Sequence, residues 1–285
     1  MNTKIKTLGI VFLSMLGMLA LFVVIAGIGN YFQGIGQKKL GSIFMLFFPI
    51  ALFLAVRLFN KKVNGLNVYD YGFGFNKFTL NSLLGTGLAI VLMAFVLLTA
   101  NIFFGIQIEF FGLKDNFGEP LISLLMTYLV VGIWEEFYFR GLIFNTLLKN
   151  NFGFHSSALI SSILFSIIHW TGFDMNITPY SWYIGIVFIG YIFVYIYTYT
   201  NSIWSVVFFH FVLDVMLIYL VNDHDNKVGL FEIKNYLEIS KIIDNITVVY
   251  LGILLTLILF LTRKNGISDN IISYINHVNS TEKNK

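Results

Sequence analysis

LISLLMTYLVVGIWEEFYFRGLIF, residues 121–144, decides what kind of protein this is. From Leu121 to Trp134 the run is apolar apart from Ser123, Thr127 and Gly132, and Gly141-Leu142-Ile143-Phe144 resumes it. Between them stand Glu135, Glu136 and, four residues on, Arg140. The run is long enough for a membrane helix, which needs about 20 apolar residues. A charge at mid-bilayer costs roughly 2.5–3.5 kcal/mol on insertion scales, whereas each Leu, Ile, Phe or Val returns only about 0.3–0.6. Two carboxylates and a guanidinium therefore roughly cancel the apolar gain of the whole segment. They are tolerable only against partners or beside a wet cavity, so the stretch reads as a functional site inside a membrane helix.

The rest of the chain agrees with a membrane setting. Of its 285 residues 57% are hydrophobic and 12% charged, where a soluble domain carries about 25% charge. Mean hydropathy is +0.80. Long apolar runs recur near 7–30, 41–59, 80–104, 121–147, 156–172, 182–200, 203–221 and 246–262. They predict an all-α, polytopic bundle of about eight transmembrane helices. The first run extends past Gln33 and lacks an Ala-x-Ala site, which reads as a retained helix rather than a secretory signal. The expected organisation is 1–120, helices without catalytic motifs; 121–221, a catalytic core; and 222–285, an acidic loop, a last membrane helix and a polar tail that frays after Arg263. There is no cysteine, which excludes disulfides, thiolate metal sites and cysteine nucleophiles.

Charge placement orients the chain. Lys4, Lys6, Arg57, Lys61, Lys62, Lys77, Lys149, Arg263 and Lys264 fall on one side of the expected spans, with Lys283 and Lys285 in the tail. Lys38, Lys39, Lys114, Lys227, Lys234 and Lys241 fall on the other. Basic residues favour the inside, so both termini are expected in the cytoplasm of a multi-pass cell-membrane protein. The loop 222–245, with Asp223, Asp225, Glu232, Glu238 and Asp244, is then external. No basic stripe of the nucleic-acid-binding type is present, and membrane lipid is the expected surrounding.

Before residue 112 the chain shows no chemistry. Gly72-Phe73-Gly74-Phe75 lacks the strand and lysine of a phosphate loop and reads as a turn. Gly85, Gly87 and Ala89 read as helix-packing contacts. Past Glu119-Pro120, a helix start, every ionisable group that falls deep in an apolar run occurs within one part of the chain: Glu135, Glu136, Arg140, His169, His210 and Asp214. At about 100° per residue, Glu136 and Arg140 share a helix face and can pair. Glu135 is turned about a quarter of the way round, free to face a cavity. His210 and Asp214, also four apart, can bond each other or one common ligand.

One carboxylate, two imidazoles and a second carboxylate on three helices suit hydrolysis of a polarised carbonyl. Glu135 would take a proton from water as general base, His169 would position that water, and His210 with Asp214 would stabilise the oxyanion. Equally, Glu135, His169 and His210 could hold zinc, since His2Glu with an open position is a catalytic arrangement. His-Glu-x-x-His, Gly-x-Ser-x-Gly and Gly-x-Gly-Asp are all absent. Bland alternatives exist for each residue singly: a hydrogen-bonded structural histidine at 169, and an Asp214 that merely orients His210.

As a set, Glu135-Glu136-x-x-x-Arg140-Gly141, Phe165-x-x-x-His169 and His210-x-x-x-Asp214 resemble the three motifs of the CAAX protease and bacteriocin-processing (CPBP, or Abi) family of intramembrane endopeptidases. Asn201-Ser202-Ile203-Trp204 resembles the family's approach to its third motif, and the likeness runs over 121–221. It implies that Glu135 activates water with His169, that His210 and Asp214 form the oxyanion or metal pair, and that Glu136 and Arg140 are structural. Eukaryotic prenyl-protein members carry asparagine where this chain has Asp214, which points to the bacterial branch. The implied substrate is a hydrophobic or lipidated peptide: a prenylated C-terminus, or a bacteriocin, leader or pheromone peptide. The competing readings are a non-catalytic immunity or scaffold protein with the same fold, and a proton or metal transporter.

Overall fold

A computed structural model describes residues 3–110, 118–169, 180–220, 231–233, 236–265 and 268–280. The apolar runs supply the helices α1 (Thr3–Gly34), α2 (Lys38–Val63), α3 (Phe78–Phe104), α4 (Gly118–Glu136), α6 (Phe154–His169), α7 (Tyr180–Thr200), α8 (Ile203–Leu220) and α9 (Tyr236–Asn265). Four of the helical stretches, 3–34, 78–104, 180–200 and 241–263, are long and apolar enough to cross a membrane, and α6 and α8 are shorter apolar helices. The fold class is the expected all-helical bundle. Its strand content among the described residues is one antiparallel pairing of β1 (Ile108–Phe110) with β2 (Phe231–Ile233), in which Ile108 faces Ile233. Residues 170–172, Val221, Lys114, the loop stretch 222–230 with Asp223, Asp225 and Lys227, Lys234, and the tail lysines Lys283 and Lys285 lie outside the described residues.

Two features depart from the expectation. The run 121–147 is not one α-helix. After α4 the chain widens into π-helical turns over Phe137–Phe144, then tightens again as α5 (Asn145–Lys149). All eight residues of the π-helical segment are buried, so the costlier backbone is covered by packing on every side. The polar tail does not fray after Arg263 either. Asp269–Ser280 forms α10, whose Ile271, Tyr274 and Val278 are buried. Their spacing of three and four residues is a one-sided apolar stripe, and it docks on α5 and α7.

Small residues set how close the helices come. Gly85 of α3 meets α8: a Cβ there would lie 2.0 Å from the Ser205 carbonyl. Ala89 continues the same buried face, whereas a Cβ on Gly87 would touch nothing within 4 Å. The expected packing stripe is thus Gly85 and Ala89 without Gly87. At the turn from α7 to α8, Asn201 takes a left-handed φ of 49°. Gly72, at φ 71°, lies against it: a Cβ would come within 2.8 Å of both Asn201 O and Ser202 Cα. The segment 72–75 is therefore a turn, as expected, and it is wedged into the core. Phe73 packs edge-on to Phe137 of the π-helical segment and to Trp204 of α8, with ring centres 5.1 and 5.0 Å apart. Residues expected on the basic side also collect at one end of the bundle. Lys4 Nζ stands 5.6 Å from the Phe152 ring centre, and Lys149 donates to the Asn64 carbonyl.

Candidate active site

The six ionisable groups picked from the sequence meet in one cluster. α4 delivers Glu135 and Glu136, the π-helical segment Arg140, α6 His169 at its last turn, and α8 His210 and Asp214. Glu136 and Arg140 pair as their spacing predicts, Arg140 Nη1 donating to Glu136 Oε1 at 2.9 Å. The same Oε1 lies 2.8 Å from His210 Nδ1. Glu136 thus does more than neutralise Arg140, because it also fixes the ring of a residue 74 positions away. No spacing rule connects those two positions.

Arg140 is 1% exposed and Glu136 wholly buried. The guanidinium is held from three directions. Nη2 donates to the Gly190 carbonyl at 3.1 Å, and its Cζ lies 4.5 Å from the Phe165 ring centre and 5.0 Å from that of Phe193. Both rings are within the roughly 6 Å over which a cation is drawn to an aromatic face. Gly190 reaches this position because it has no side chain; a Cβ would sit 3.1 Å from Ser162 Cβ.

The histidine tautomers follow from their partners. A carbonyl oxygen only accepts, so His169 Nδ1, 2.8 Å from Phe165 O, carries a proton. In the neutral ring its Nε2 is then an acceptor. His210 Nδ1 likewise donates to Glu136, which leaves its Nε2 turned to the cluster. Both Nε2 atoms point at one atom: Glu135 Oε2 is 3.7 Å from His169 Nε2 and 3.8 Å from His210 Nε2. Those separations exceed a hydrogen bond, and among the described residues Glu135 Oε2 is buried without a hydrogen-bond partner. Asp214 Oδ2 lies 3.4 Å from His210 Nε2. The cluster has a closed side, Glu136 and Arg140, and a more open one, where His169 and Asp214 keep 21% and 24% side-chain exposure. The quarter-turn between adjacent glutamates puts one on each side.

A single oxygen between Glu135 and the two imidazoles could receive or give hydrogen bonds to all three. A metal ion fits less well. Zinc holds N and O ligands at roughly 2.0–2.2 Å, which sets tetrahedral ligand atoms about 3.4 Å apart, whereas Glu135 Oε2 stands 3.7 and 3.8 Å from the two imidazole nitrogens. Among the described residues no group of three or more His, Asp and Glu side chains could hold a metal ion. The expected alternative of zinc on Glu135, His169 and His210 therefore finds no support in the spacing. Other groups at the site had no sequence signal: the Phe193 ring, the Gly190 carbonyl, and Asn145, whose amide donates to the carbonyls of Arg140 and Gly141 at 3.0 and 3.1 Å.

Residues 117–216 match the family model of the Type II CAAX prenyl endopeptidase, Rce1-like. The matched region opens just before α4, ends within α8 and holds all six clustered residues, in keeping with the CPBP resemblance. At the level of the family it supports an intramembrane endopeptidase acting on a membrane-associated peptide. No curated protein and no solved structure matches the chain.

Proposed function

We propose that this protein hydrolyses a peptide bond in a membrane-associated, prenylated or otherwise hydrophobic peptide by a glutamate-activated water, without a bound metal. One observation carries the reading: two imidazole nitrogens stand within 3.8 Å of a buried carboxylate oxygen that has no hydrogen-bond partner among the described residues. Two acceptors facing each other, Glu135 Oε2 and His169 Nε2, suit a molecule that donates a proton to each, and water is the smallest that does. Glu135 takes one proton as the water oxygen bonds to the scissile carbonyl carbon. The carbonyl π electrons move to oxygen, and the resulting anion needs a donor. His210, its Nδ1 spent on Glu136, supplies that donor from Nε2 when doubly protonated, with Asp214 beside it. Collapse of the tetrahedral intermediate breaks the C–N bond, and Glu135 returns its proton to the leaving amine. Glu136 and Arg140 hold the ring and take no proton.

On this reading the protein sits in the cell membrane with both termini cytoplasmic, which the grouping of Lys4 and Lys149 at one end of the bundle supports. The test uses an internally quenched, farnesylated peptide in detergent or liposomes, with comparison of the membrane peptidome in cells. Glu135→Gln should accumulate normally and cleave nothing. Full cleavage by Glu135→Gln removes the base. Full biological effect with His169 and His210 both replaced would instead make the protein a non-catalytic scaffold or immunity factor.

A further inference from the structure

The closed side of the cluster continues into buried polar groups that the hydrolytic steps do not use. Asn145 of α5, Tyr197 of α7 and Tyr274 of α10 are between 0% and 1% exposed. Tyr274 Oη lies 2.6 Å from Asn145 Oδ1 and 2.7 Å from Tyr197 Oη, which in turn is 3.2 Å from Asn145 Nδ2. A hydroxyl has one proton to give. Asn145 Oδ1 can only accept, so Tyr274 donates to it; Tyr197 then donates to Tyr274 and accepts from the Asn145 amide. The three groups close a ring in which each donates once and accepts once. Burial holds the Tyr274 hydroxyl well above its usual pKa, with Tyr197 beside it adding to the effect, so it stays a donor. Chains of such bonds reinforce one another.

The ring leaves Asn145 one further N–H, and that proton lies against Arg140 O and Gly141 O at 3.0 and 3.1 Å. These carbonyls belong to the π-helical turns, where the α-helical hydrogen-bond register is broken. Asn60 reaches Gly141 O as well, at 3.4 Å. Were the segment to slip towards an α-helical register, Arg140 would rotate away from Gly190 O and its two aromatic faces. Glu136 would lose its partner, and His210 the carboxylate that orients it.

We propose that α10 is a positioning element of the catalytic centre: through the ring of Tyr274, Tyr197 and Asn145 it holds the π-helical register of Phe137–Phe144, and with it the line from Arg140 through Glu136 to His210. The role rests on the hydrolytic reading for its consequence in turnover, and on the hydrogen bonds alone for its consequence in structure. Two variants of α10 separate positioning from plain stability. Tyr274→Phe removes one hydroxyl and keeps the ring's packing. Val278→Ala weakens the docking of the same helix and leaves the hydroxyls in place.

Turnover of the farnesylated peptide and amide hydrogen exchange over 137–144 are measured on both, in the full-length protein below its unfolding temperature. Tyr274→Phe should lower kcat about tenfold with KM unchanged, as small misplacements of catalytic groups do, and should speed exchange over 137–144. Val278→Ala should lower the unfolding temperature and move neither kcat nor that exchange. Wild-type exchange and kcat in Tyr274→Phe overturn the proposal, as do two variants that behave alike. If Tyr274→Phe fails to accumulate, Tyr197→Phe opens the ring from α7 and carries the same expectations. If the wild-type protein leaves the probe uncut, the hydrolytic reading fails, and the exchange difference alone still decides whether α10 sets the register.

Discussion

Adjacent glutamates should answer the same substitution in opposite ways. In Glu136→Gln, the carboxylate that faces Arg140 at 2.9 Å and His210 at 2.8 Å becomes neutral. Gln can still accept at that position, but Arg140, 1% exposed, keeps its charge without a counter-charge. Removing one partner of a buried ion pair costs about 3–5 kcal/mol. At roughly 2 °C per kcal/mol for a chain of this size, the unfolding temperature should fall by about 6–10 °C. Glu135→Gln removes a carboxylate whose Oε2 has no hydrogen-bond partner among the described residues, so its unfolding temperature should stay close to wild type while hydrolysis disappears. The assay is thermal unfolding in detergent by intrinsic fluorescence, run beside cleavage of the quenched peptide. A third protein, Glu136→Gln with Arg140→Met, removes both charges and should recover most of the lost stability. It should not recover activity, because His210 Nδ1 still faces a weaker acceptor. Equal destabilisation by the two single Gln variants would refute the division of labour, and so would a double variant no more stable than Glu136→Gln.

Three further outcomes follow from contacts elsewhere. Gly85→Ala places a methyl 2.0 Å from a backbone oxygen of α8 and should destabilise by about 1–3 kcal/mol or more by overpacking. Gly87→Ala meets nothing and should be neutral or stabilising by up to about 1 kcal/mol through helix propensity; unfolding temperatures of the two compare them directly. Asp214→Asn keeps a polar group beside His210 and should retain most activity, whereas Asp214→Ala should cost about 10²–10³ in kcat if this position supports the oxyanion. Prolonged treatment with a zinc chelator should leave cleavage unchanged, as the ligand spacing implies; loss of activity restored by added zinc would reverse that conclusion.

What the sequence revealed of the site was whatever lies within one helix. Glu136 with Arg140 and His210 with Asp214 are pairs four residues apart, and a helix brings such pairs together whatever else the chain does. The apolar runs were equally legible, because a bilayer-length stretch without charge has few alternatives. Contacts between helices were not. Glu136 to His210 spans 74 positions and Tyr274 to Asn145 spans 129, and neither carries a periodicity. α10 was missed because three buried residues among polar ones, Ile271, Tyr274 and Val278, leave its mean hydropathy low. Its docking depends on a surface made by α5 and α7. The π-helical turns had no signal either: Phe137–Phe144 reads as an ordinary apolar helix, and the register changes only where Asn145 and Asn60 answer the displaced carbonyls.

The opening difficulty, three charges in one apolar helix, is resolved by sorting rather than by simple neutralisation. Had both glutamates faced Arg140, the charges would balance and no base would remain. Had both faced the open side, Arg140 would be a buried cation without a partner. One residue of helical rotation separates the two cases, so Glu136 goes to the closed side, where it pairs with Arg140, itself held by the Gly190 carbonyl and two phenylalanine rings. Glu135 goes to the side where two imidazole nitrogens meet it. The Glu-Glu order then has a consequence of its own. Inserting one alanine before Glu135 moves both glutamates one position along the helix and should abolish both stability and hydrolysis, since every residue after it turns by about 100°. The same insertion after Gly36, in the exposed turn between α1 and α2, leaves every helix in its own register. Expression level and cleavage measured on the two insertions ask whether the sorting, more than the mere presence of the charges, is what the fold requires; comparable loss of cleavage with comparable expression would answer that it is not.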